Sequence, residues 1–270
     1  MSPQHKESRL REALVGLGRF SRTQLRFTLM VIGGGWGVVQ EARHFSSWRR
    51  TVRIEFWQTL RQATGGGLLS VLVTAALTGF GIVAQAVYWL GFAGMAQMTG
   101  SILSTVLVRE IAPVLVGVIL LGRSGMLMLT ELGTLTTGGQ MRVMAGMGID
   151  PFLAFVMPRT LAMTISGFTL GMIFSLTALV MGYLVCWVEG IITMPVWAFL
   201  DQVTSSMRPI DYFSIPAKFT LSGFIVGLCS CLSGMDATSE DDLATLLPRG
   251  FARGILSVMI INVVFSVGFD

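Results

Sequence analysis

The longest uncharged stretch of the chain runs from Gln62 to Val108, and its 47 residues include no Asp, Glu, Lys or Arg. A membrane-spanning helix needs about 20 predominantly apolar residues, so this stretch is long enough for at least one crossing. Soluble domains have about a quarter of their residues charged, whereas this chain of 270 residues is 13% charged and 53% hydrophobic. The sequence therefore predicts an all-α integral membrane protein.

The remaining apolar stretches predict the other spans. We expect about five transmembrane helices, at about 66–87, 106–130, 153–186, 218–235 and 251–268. The glycine-containing segment at 89–104 is expected to be shallow or re-entrant and to face the protein interior, since irregular backbone at that depth needs protein or water around it. The segments between the later spans, 131–152, 187–217 and 236–250, are predicted loops.

The first 61 residues differ in composition from the rest and hold 11 of the 19 Lys and Arg residues. Apolar side chains recur at helical spacing from Leu10 to Leu29, which is typical of an amphipathic helix lying in the membrane interface. A cytosolic helix packed on a partner is the alternative. Excess positive charge beside membrane spans marks the cytoplasmic side, so we expect a cytoplasmic N-terminus and no nucleic-acid partner. We divide the chain into an N-terminal cytoplasmic or interfacial region, 1–61, and a transmembrane domain, 62–270.

A cluster of aromatic and basic residues precedes the first span. Such mixtures are typical of interfacial anchors. Its members are Trp48, Arg49, Arg50, Arg53, Phe56, Trp57 and Arg61.

The sequence offers no catalytic site, metal site or nucleotide-binding loop. The glycine-rich pieces at 65–67 and 137–140 are not followed by Lys and Ser or Thr, so neither is a Walker-type loop. The three cysteines lie in or beside apolar runs without metal-ligand spacing, and packing is their expected role. We therefore expect no enzyme activity, metal or cofactor, and ATP could act only through a separate subunit.

Charges within the second predicted span are the strongest functional signal, because an ion at bilayer depth needs a partner or a cavity. Arg109 and Glu110 are about 100° apart on a helix, so we expect them on different faces, each near a headgroup or a charge from another span. The alternative is that both reach the outer surface. Arg123 is expected to bind backbone carbonyls or Glu131.

The loop after this span predicts a short docking helix. Residues 136–140 should end the preceding helix, after which apolar side chains form one short face interrupted by Arg142. A short amphipathic helix in an inner loop suits docking into a groove on a soluble motor, and methionines suit an adaptable contact. A helix resting on lipid is the alternative. The apolar residues are Met141, Val143, Met144 and Met147.

Six motifs between about 105 and 165 resemble a known family. VREIAPVL, GRSG, TELGTL, a Gln at 140, MGIDP and PRTLA follow one another in this order. They resemble the signature of the MlaE or YrbE type of ABC transporter permeases, which reads approximately REIGPVL, GRVG, AELGTM, VTEQ, MGINP and PRVLA. The resemblance is weaker upstream, at AQAVY, and loose over the last two spans.

The resemblance implies a permease subunit of the bacterial inner membrane that acts as a homodimer, or pairs with a paralogue. It also implies a cytoplasmic ABC ATPase that binds ATP, and a periplasmic MCE-domain protein that exchanges phospholipid with the membrane. By position, the implied lipid-binding residues are Arg109, Glu110, Gln85 and Tyr88. The implied ATPase-coupling residues are Gly139, Gln140, Met141, Arg142, Val143 and Met144.

The chain departs from the family pattern in the coupling segment, where Gly139 and Arg142 replace acidic or polar residues. Two other functions stay open at this stage. One is a secondary transporter or channel that uses Arg109, Glu110 and Arg123 as an ion path, which an inverted repeat would favour. The other is a structural membrane anchor for a partner complex.

Overall fold

The chain is described by a computed structural model that covers residues 3–44, 48–92, 103–190, 195–205, 207–238 and 241–268. Within these residues, five helical stretches are long and apolar enough to cross a membrane, which confirms the predicted all-α membrane protein. They are Arg50–Trp89, Val106–Thr137, Phe152–Val188, Asp211–Met235 and Leu243–Gly268. The chain is a multi-pass membrane protein.

Eight helices follow one another in the described part of the chain. They are α1 (Pro3–Arg43), α2 (Arg50–Phe92), α3 (103–137), α4 (Gln140–Gly146), α5 (152–188), α6 (Val196–Ser205), α7 (Asp211–Met235) and α8 (Leu243–Gly268). Two of the spans contain π-helical turns: α3 is π-helical at Leu103–Ile111 and Leu121–Gly125, and α5 begins with the π-helical Phe152–Val156.

The first two spans are longer than predicted. Helix α2 continues unbroken from the interfacial cluster through the expected boundary at residue 62. Of the segment expected to be shallow, residues 89–92 belong to α2, and 93–102 lie outside the described residues. Helix α3 continues to Thr137, and the hydroxyls of Thr134, Thr136 and Thr137 donate to carbonyls three or four residues earlier in the same helix.

The predicted loop at 187–217 is wrong in two respects. Its middle contains α6, and α7 begins at Asp211 rather than near 218. Asp211, within the predicted loop, and Lys218, at the start of the predicted fourth span, are both buried against α3. The last span also begins earlier than predicted, because the carbonyl of Asp242 accepts the N–H groups of Thr245 and Leu246 and starts α8.

Helix α7 is the centre of the bundle. In its most apolar stretch 72% of the residues are buried, against 28% in α2 and in α8. It packs on α3, α5 and α8, and its approach to α5 brings backbone against backbone. A Cβ added at Gly223 would lie 2.4 Å from the carbonyl oxygen of Met163, and one at Gly167 would lie 2.8 Å from that of Phe219. Close contact through small residues is a common way for membrane helices to pack.

The spans alternate in direction, so the bundle has two ends. The α4 end contains the start of α2, the end of α3 and the start of α5, while the opposite end contains the start of α7 and the end of α8. Helix α1 is attached at the α4 end, where Phe27 is buried and its ring centre lies 4.3 Å from the guanidinium carbon of Arg253. Arg253 also donates to Asp236, over 3.4 Å.

Candidate lipid-binding and coupling sites

A cluster of charged and polar residues lies at the end of the bundle opposite α4. It consists of Arg109, Glu110, Asp211, Lys218 and Ser266, and we call it the Lys218 cluster. Lys218 Nζ donates to Glu110 Oε1 and to the carbonyl oxygen of Arg109, each over 3.0 Å. Ser266 Oγ donates to the same Glu110 oxygen over 2.9 Å. Helices α3, α7 and α8 therefore meet at one carboxylate.

Arg109 and Glu110 lie on the same side of this cluster, contrary to the expected separation of their faces. Arg109 Nε is 3.5 Å from Glu110 Oε1, and its Nη1 is 3.5 Å from Asp211 Oδ1. They belong to the π-helical start of α3, and π-helical turns frequently mark functional sites. Arg109 is buried, so the alternative in which it reaches the outer surface is wrong. Charges of both signs are present in equal number, which lowers the cost of burying them.

Exposure differs sharply within the Lys218 cluster. The side chain of Lys218 is 2% exposed and that of Glu110 is 41% exposed. Glu110 lines a groove of about 490 Å³ between α3 and α8, whose other walls are mainly apolar. They include Val114, Leu115, Met259, Val263 and Val267. The groove thus presents one half-exposed carboxylate at the end of an apolar surface.

Gln85 and Tyr88 lie elsewhere on the chain surface. Both are exposed on α2, and the Tyr88 ring lies edge to face with Trp89, at 5.6 Å between centroids. The described lining of the groove comes from α3 and α8. Within one chain, the structure therefore places Gln85 and Tyr88 outside the groove, and their role as lipid contacts stays a prediction.

A second cluster, at the α4 end, consists of Glu55, Glu131 and Arg159, and we call it the Arg159 cluster. Arg159 is 8% exposed; its Nε donates to Glu55 Oε1 over 2.7 Å, and its Nη1 lies 2.9 Å from Glu131 Oε2. Its guanidinium also lies over the ring of Phe155, 5.4 Å from the centroid. One arginine therefore connects α5 to both α2 and α3 just before the turn into α4.

Arg123 does not bind Glu131, so that prediction is wrong: Glu131 is paired with Arg159. Arg123 instead lies against α2, where its Nη1 is 3.4 Å from Ser70 Oγ. A Cβ added at Gly66 would be 2.7 Å from Nη2 of Arg123. The absence of a side chain at Gly66 lets this guanidinium approach the backbone of α2 closely.

Helix α4 follows the predicted break. Gly139 has a φ of +74°, a conformation that residues with a side chain seldom adopt. This explains locally why glycine rather than an acidic residue stands there. The expected single apolar face is wrong, because Met141 is buried on the bundle while Val143 and Met147 are exposed. Arg142 is exposed as well, so the free surface of α4 combines one cation with apolar side chains.

Sequence reasoning missed the pairing of Lys218, Asp211, Ser266 and Arg159. A signal was present for two of them. Lys218 and Arg159 are each a single cation near the start of a long apolar run, and a cation at such a depth requires a countercharge. Nothing in the sequence indicates that two of these countercharges, Glu110 for Lys218 and Glu55 for Arg159, lie 108 and 104 residues earlier.

Comparison with known proteins identifies the family. The sequence model for the permease MlaE matches residues 56–267. The chain is 28% identical over 196 residues to the chloroplast protein Trigalactosyldiacylglycerol 1 of Arabidopsis thaliana, covering 69% of this chain and 53% of that protein. It is 31% identical over 180 residues to a probable ABC transporter permease of Rickettsia prowazekii, covering 65% and 68%. A probable ABC transporter permease of Synechocystis is 29% identical over 191 residues, covering 69% and 71%.

The chain thus spans about half the length of the Arabidopsis relative and about two thirds of these bacterial ones. The matched region contains all five spans except the beginning of α2 and the last residue of α8, and it includes α4, the Lys218 cluster and, apart from Glu55, the Arg159 cluster. The chain therefore belongs to the MlaE permease family.

Proposed function

We propose that the chain is the permease subunit of an ATP-driven transporter that moves phospholipid, or a related lipid, between the bacterial inner membrane and a periplasmic MCE-type carrier. The observation that carries the proposal is the half-exposed carboxylate of Glu110 at an apolar groove, with its countercharge Lys218 buried behind it. An apolar wall with one polar end matches the two parts of a lipid molecule. The name of the Arabidopsis relative is that of a galactolipid, which supports a lipid as the substrate.

Glu110 is the residue that meets the headgroup in this proposal. An ionised carboxylate only accepts hydrogen bonds, so Glu110 suits a headgroup that presents hydroxyl or ammonium donors. Lys218 and Ser266 fix the position of its Oε1 atom. Arg109 is buried and holds Glu110 and Asp211 rather than facing the groove. It therefore positions the carboxylate.

A second copy of the chain, identical or paralogous, closes the groove in this proposal. The groove is open along one side, and the side chains of α8 beside it are exposed, among them Ile260 and Val264. Gln85 and Tyr88, exposed on α2, would reach the same lipid from the other copy. Oligomers of this kind use one surface patch twice.

ATP hydrolysis is assigned to a separate ABC subunit on the cytoplasmic side, in keeping with the names of the bacterial relatives. The exposed residues Arg142, Val143 and Met147 of α4 form the docking surface in this assignment. Motion at α4 would pass to the Arg159 cluster at the adjoining ends of α3 and α5. The excess of basic residues before α2 supports a cytoplasmic N-terminus.

A channel or secondary transporter is less well supported. An ion path needs polar groups along the whole span, whereas most of the charges described within the spans fall into clusters at the two ends of the bundle. Arg123 lies between them and contacts Ser70 on the surface of α2. The permease hypothesis uses both clusters without requiring them to be connected.

The lipid site is tested by replacing Glu110 with lysine. The new cation would lie about as close to Lys218 as the 3.0 Å contact it replaces, so we expect at least tenfold less crosslinking of a photoreactive phospholipid to the groove. Glu189→Lys makes the same charge change at an exposed site at the same end of the bundle and should leave crosslinking unchanged. The exchanged pair Glu110→Lys with Lys218→Glu again places opposite charges at this contact, so it should recover any folding that the single variant loses. Equal crosslinking in Glu110→Lys and wild type would rule out this headgroup site.

The docking assignment is tested by replacing Arg142 with glutamate. In a reconstituted complex we expect loss of the ATP hydrolysis that the permease stimulates, because the exposed charge of α4 changes sign while its buried face is untouched. Arg43→Glu, at the exposed end of α1, is the matched control and should retain most of the stimulation. Unchanged turnover in Arg142→Glu would remove α4 from the interface.

The broadest test is purification of the chain from native membranes, followed by identification of the proteins and lipids that accompany it. We expect an ABC ATPase, an MCE-domain protein and phospholipid. Recovery of the chain with none of these would contradict the proposed function as a whole.

A further inference from the structure

A second groove lies at the beginning of α2, at the α4 end of the bundle and outside the proposed transport site. Its volume is about 610 Å³, and it is open along one side. The lining residues are Trp48, Arg50, Arg53, Ile54, Trp57 and Gln58. Except for Trp48, which precedes the helix, they lie on one exposed face of α2 at helical spacing.

The two arginines of this groove carry uncompensated positive charge. Arg50 and Arg53 are exposed and one helical turn apart. Neither guanidinium has a hydrogen bond or an ion pair with any residue that the structure describes. The nearest acidic residue along the helix, Glu55, is already bound to Arg159. The groove is therefore electrostatically suited to an anion.

The aromatic walls of the groove are held in place by specific contacts. Trp48 donates its indole N–H to the carbonyl oxygen of Ala42 over 3.2 Å, which ties the groove to the end of α1. Phe56 lies between the two indoles, with its ring centre 5.6 Å from that of Trp48 and 5.8 Å from that of Trp57, both edge to face. The two indoles are thus fixed with the arginines beside them.

The position along α2 places this groove near the lipid headgroups. The uncharged stretch begins at Gln62, and Trp57 and Arg53 precede it by about 8 and 14 Å at the standard helical rise. Indole rings concentrate at this level of a membrane, where one edge is apolar and the other is wet. Ile54 and Trp57, both exposed, extend the groove toward the apolar side.

We propose that this groove binds one anionic phospholipid of the leaflet at the α4 end, with its phosphate between Arg50 and Arg53 and its acyl chains along Ile54 and Trp57. Guanidinium groups bind phosphate through paired, charge-assisted hydrogen bonds. The bound lipid fixes the first turn of α2 at Arg50 and Arg53, the latter two residues before the Glu55 that holds Arg159. This lipid is a resident of the protein and is not the transported molecule.

The experiment is native mass spectrometry of the full-length protein in detergent, titrated with phosphatidylglycerol and, separately, with phosphatidylcholine. For the wild type we expect one tightly bound phosphatidylglycerol that phosphatidylcholine does not replace at equal concentration. In Arg50→Gln with Arg53→Gln, this adduct should be lost, and the preference for the anionic lipid should fall roughly thirtyfold, since each of the two basic residues near an anionic surface adds about one kcal/mol.

Two controls separate this site from general electrostatics and from the transport groove. Arg49→Gln with Arg61→Gln removes the same charge from exposed positions that do not line the groove, and should keep the adduct. Glu110→Lys alters the proposed transport groove and should also keep it. Equal loss in both double variants, or no preference in the wild type, would overturn the proposal. So would an anionic-lipid preference that survives in Arg50→Gln with Arg53→Gln.

Discussion

Replacing Arg159 with leucine is expected to lower the free energy of unfolding by about 3 kcal/mol, because removing one partner of a buried ion pair leaves the other charge uncompensated. Here two carboxylates lose the same partner: Glu55 on α2 and Glu131 on α3. Glu131 is 44% exposed and can be hydrated, so most of the cost falls on Glu55. The measurement is reversible unfolding in mixed micelles by increasing the fraction of dodecyl sulfate.

A second substitution makes this prediction specific to charge. Adding Glu55→Gln to the Arg159→Leu variant removes the stranded carboxylate and should recover part of the lost stability. Arg61→Leu, an exposed arginine on α2, should change stability by no more than about 0.5 kcal/mol. If Arg159→Leu were as stable as Arg61→Leu, the Arg159 cluster would not hold the three helices together.

The second large effect is expected from Gly223→Ala in α7. The added methyl group would lie 2.4 Å from the carbonyl oxygen of Met163 and 3.1 Å from the Cα atom of Gly167. Both are backbone atoms of α5, so neither can move aside as a flexible side chain would. Forcing extra volume into a packed core costs about 1–3 kcal/mol, and the same unfolding assay should show a loss near the upper figure.

Gly81→Ala in α2 is the matched control, because no atom of a neighbouring element lies within 4 Å of the added methyl group. We expect little change or a small gain there, since alanine is the better helix former by about 1 kcal/mol. Similar losses at Gly81 and Gly223 would indicate that the close approach of α5 and α7 is not what limits stability.

The number and order of the spans could be predicted from the sequence, because hydropathy alone identifies stretches long enough to cross a membrane. The ends of the spans could not. Asp211 looks like a loop residue and Lys218 looks like the first residue of a span when each charge is considered by itself, yet both lie within α7. Their cost in the helix is offset by Arg109 and Glu110, and this compensation exists only once α3 and α7 are packed together.

The residues of the candidate site differ in the same way: some are visible from a local pattern, and others only through a contact between packed helices. Arg109 and Glu110 stood out because they interrupt an apolar stretch. Lys218 donates to both residues, but its role could not be predicted without knowing a contact between positions 108 residues apart. At α4 the sequence predicted the short helix, but spacing over seven residues did not reveal which apolar side chains face the bundle and which are free.

The backbone contact between α5 and α7 also restricts how the bundle can change shape. Sliding one of these helices along the other would carry Gly223 past Met163 and bring side-chain-bearing residues against a carbonyl. Shear at this interface is therefore opposed by the backbone itself. Helix α2 is held against α5 in the same way, because a Cβ added at Gly79 would lie 2.5 Å from the carbonyl oxygen of Ala178. Helices α2, α5 and α7 thus form one frame, in which sliding at either interface is opposed by backbone contact.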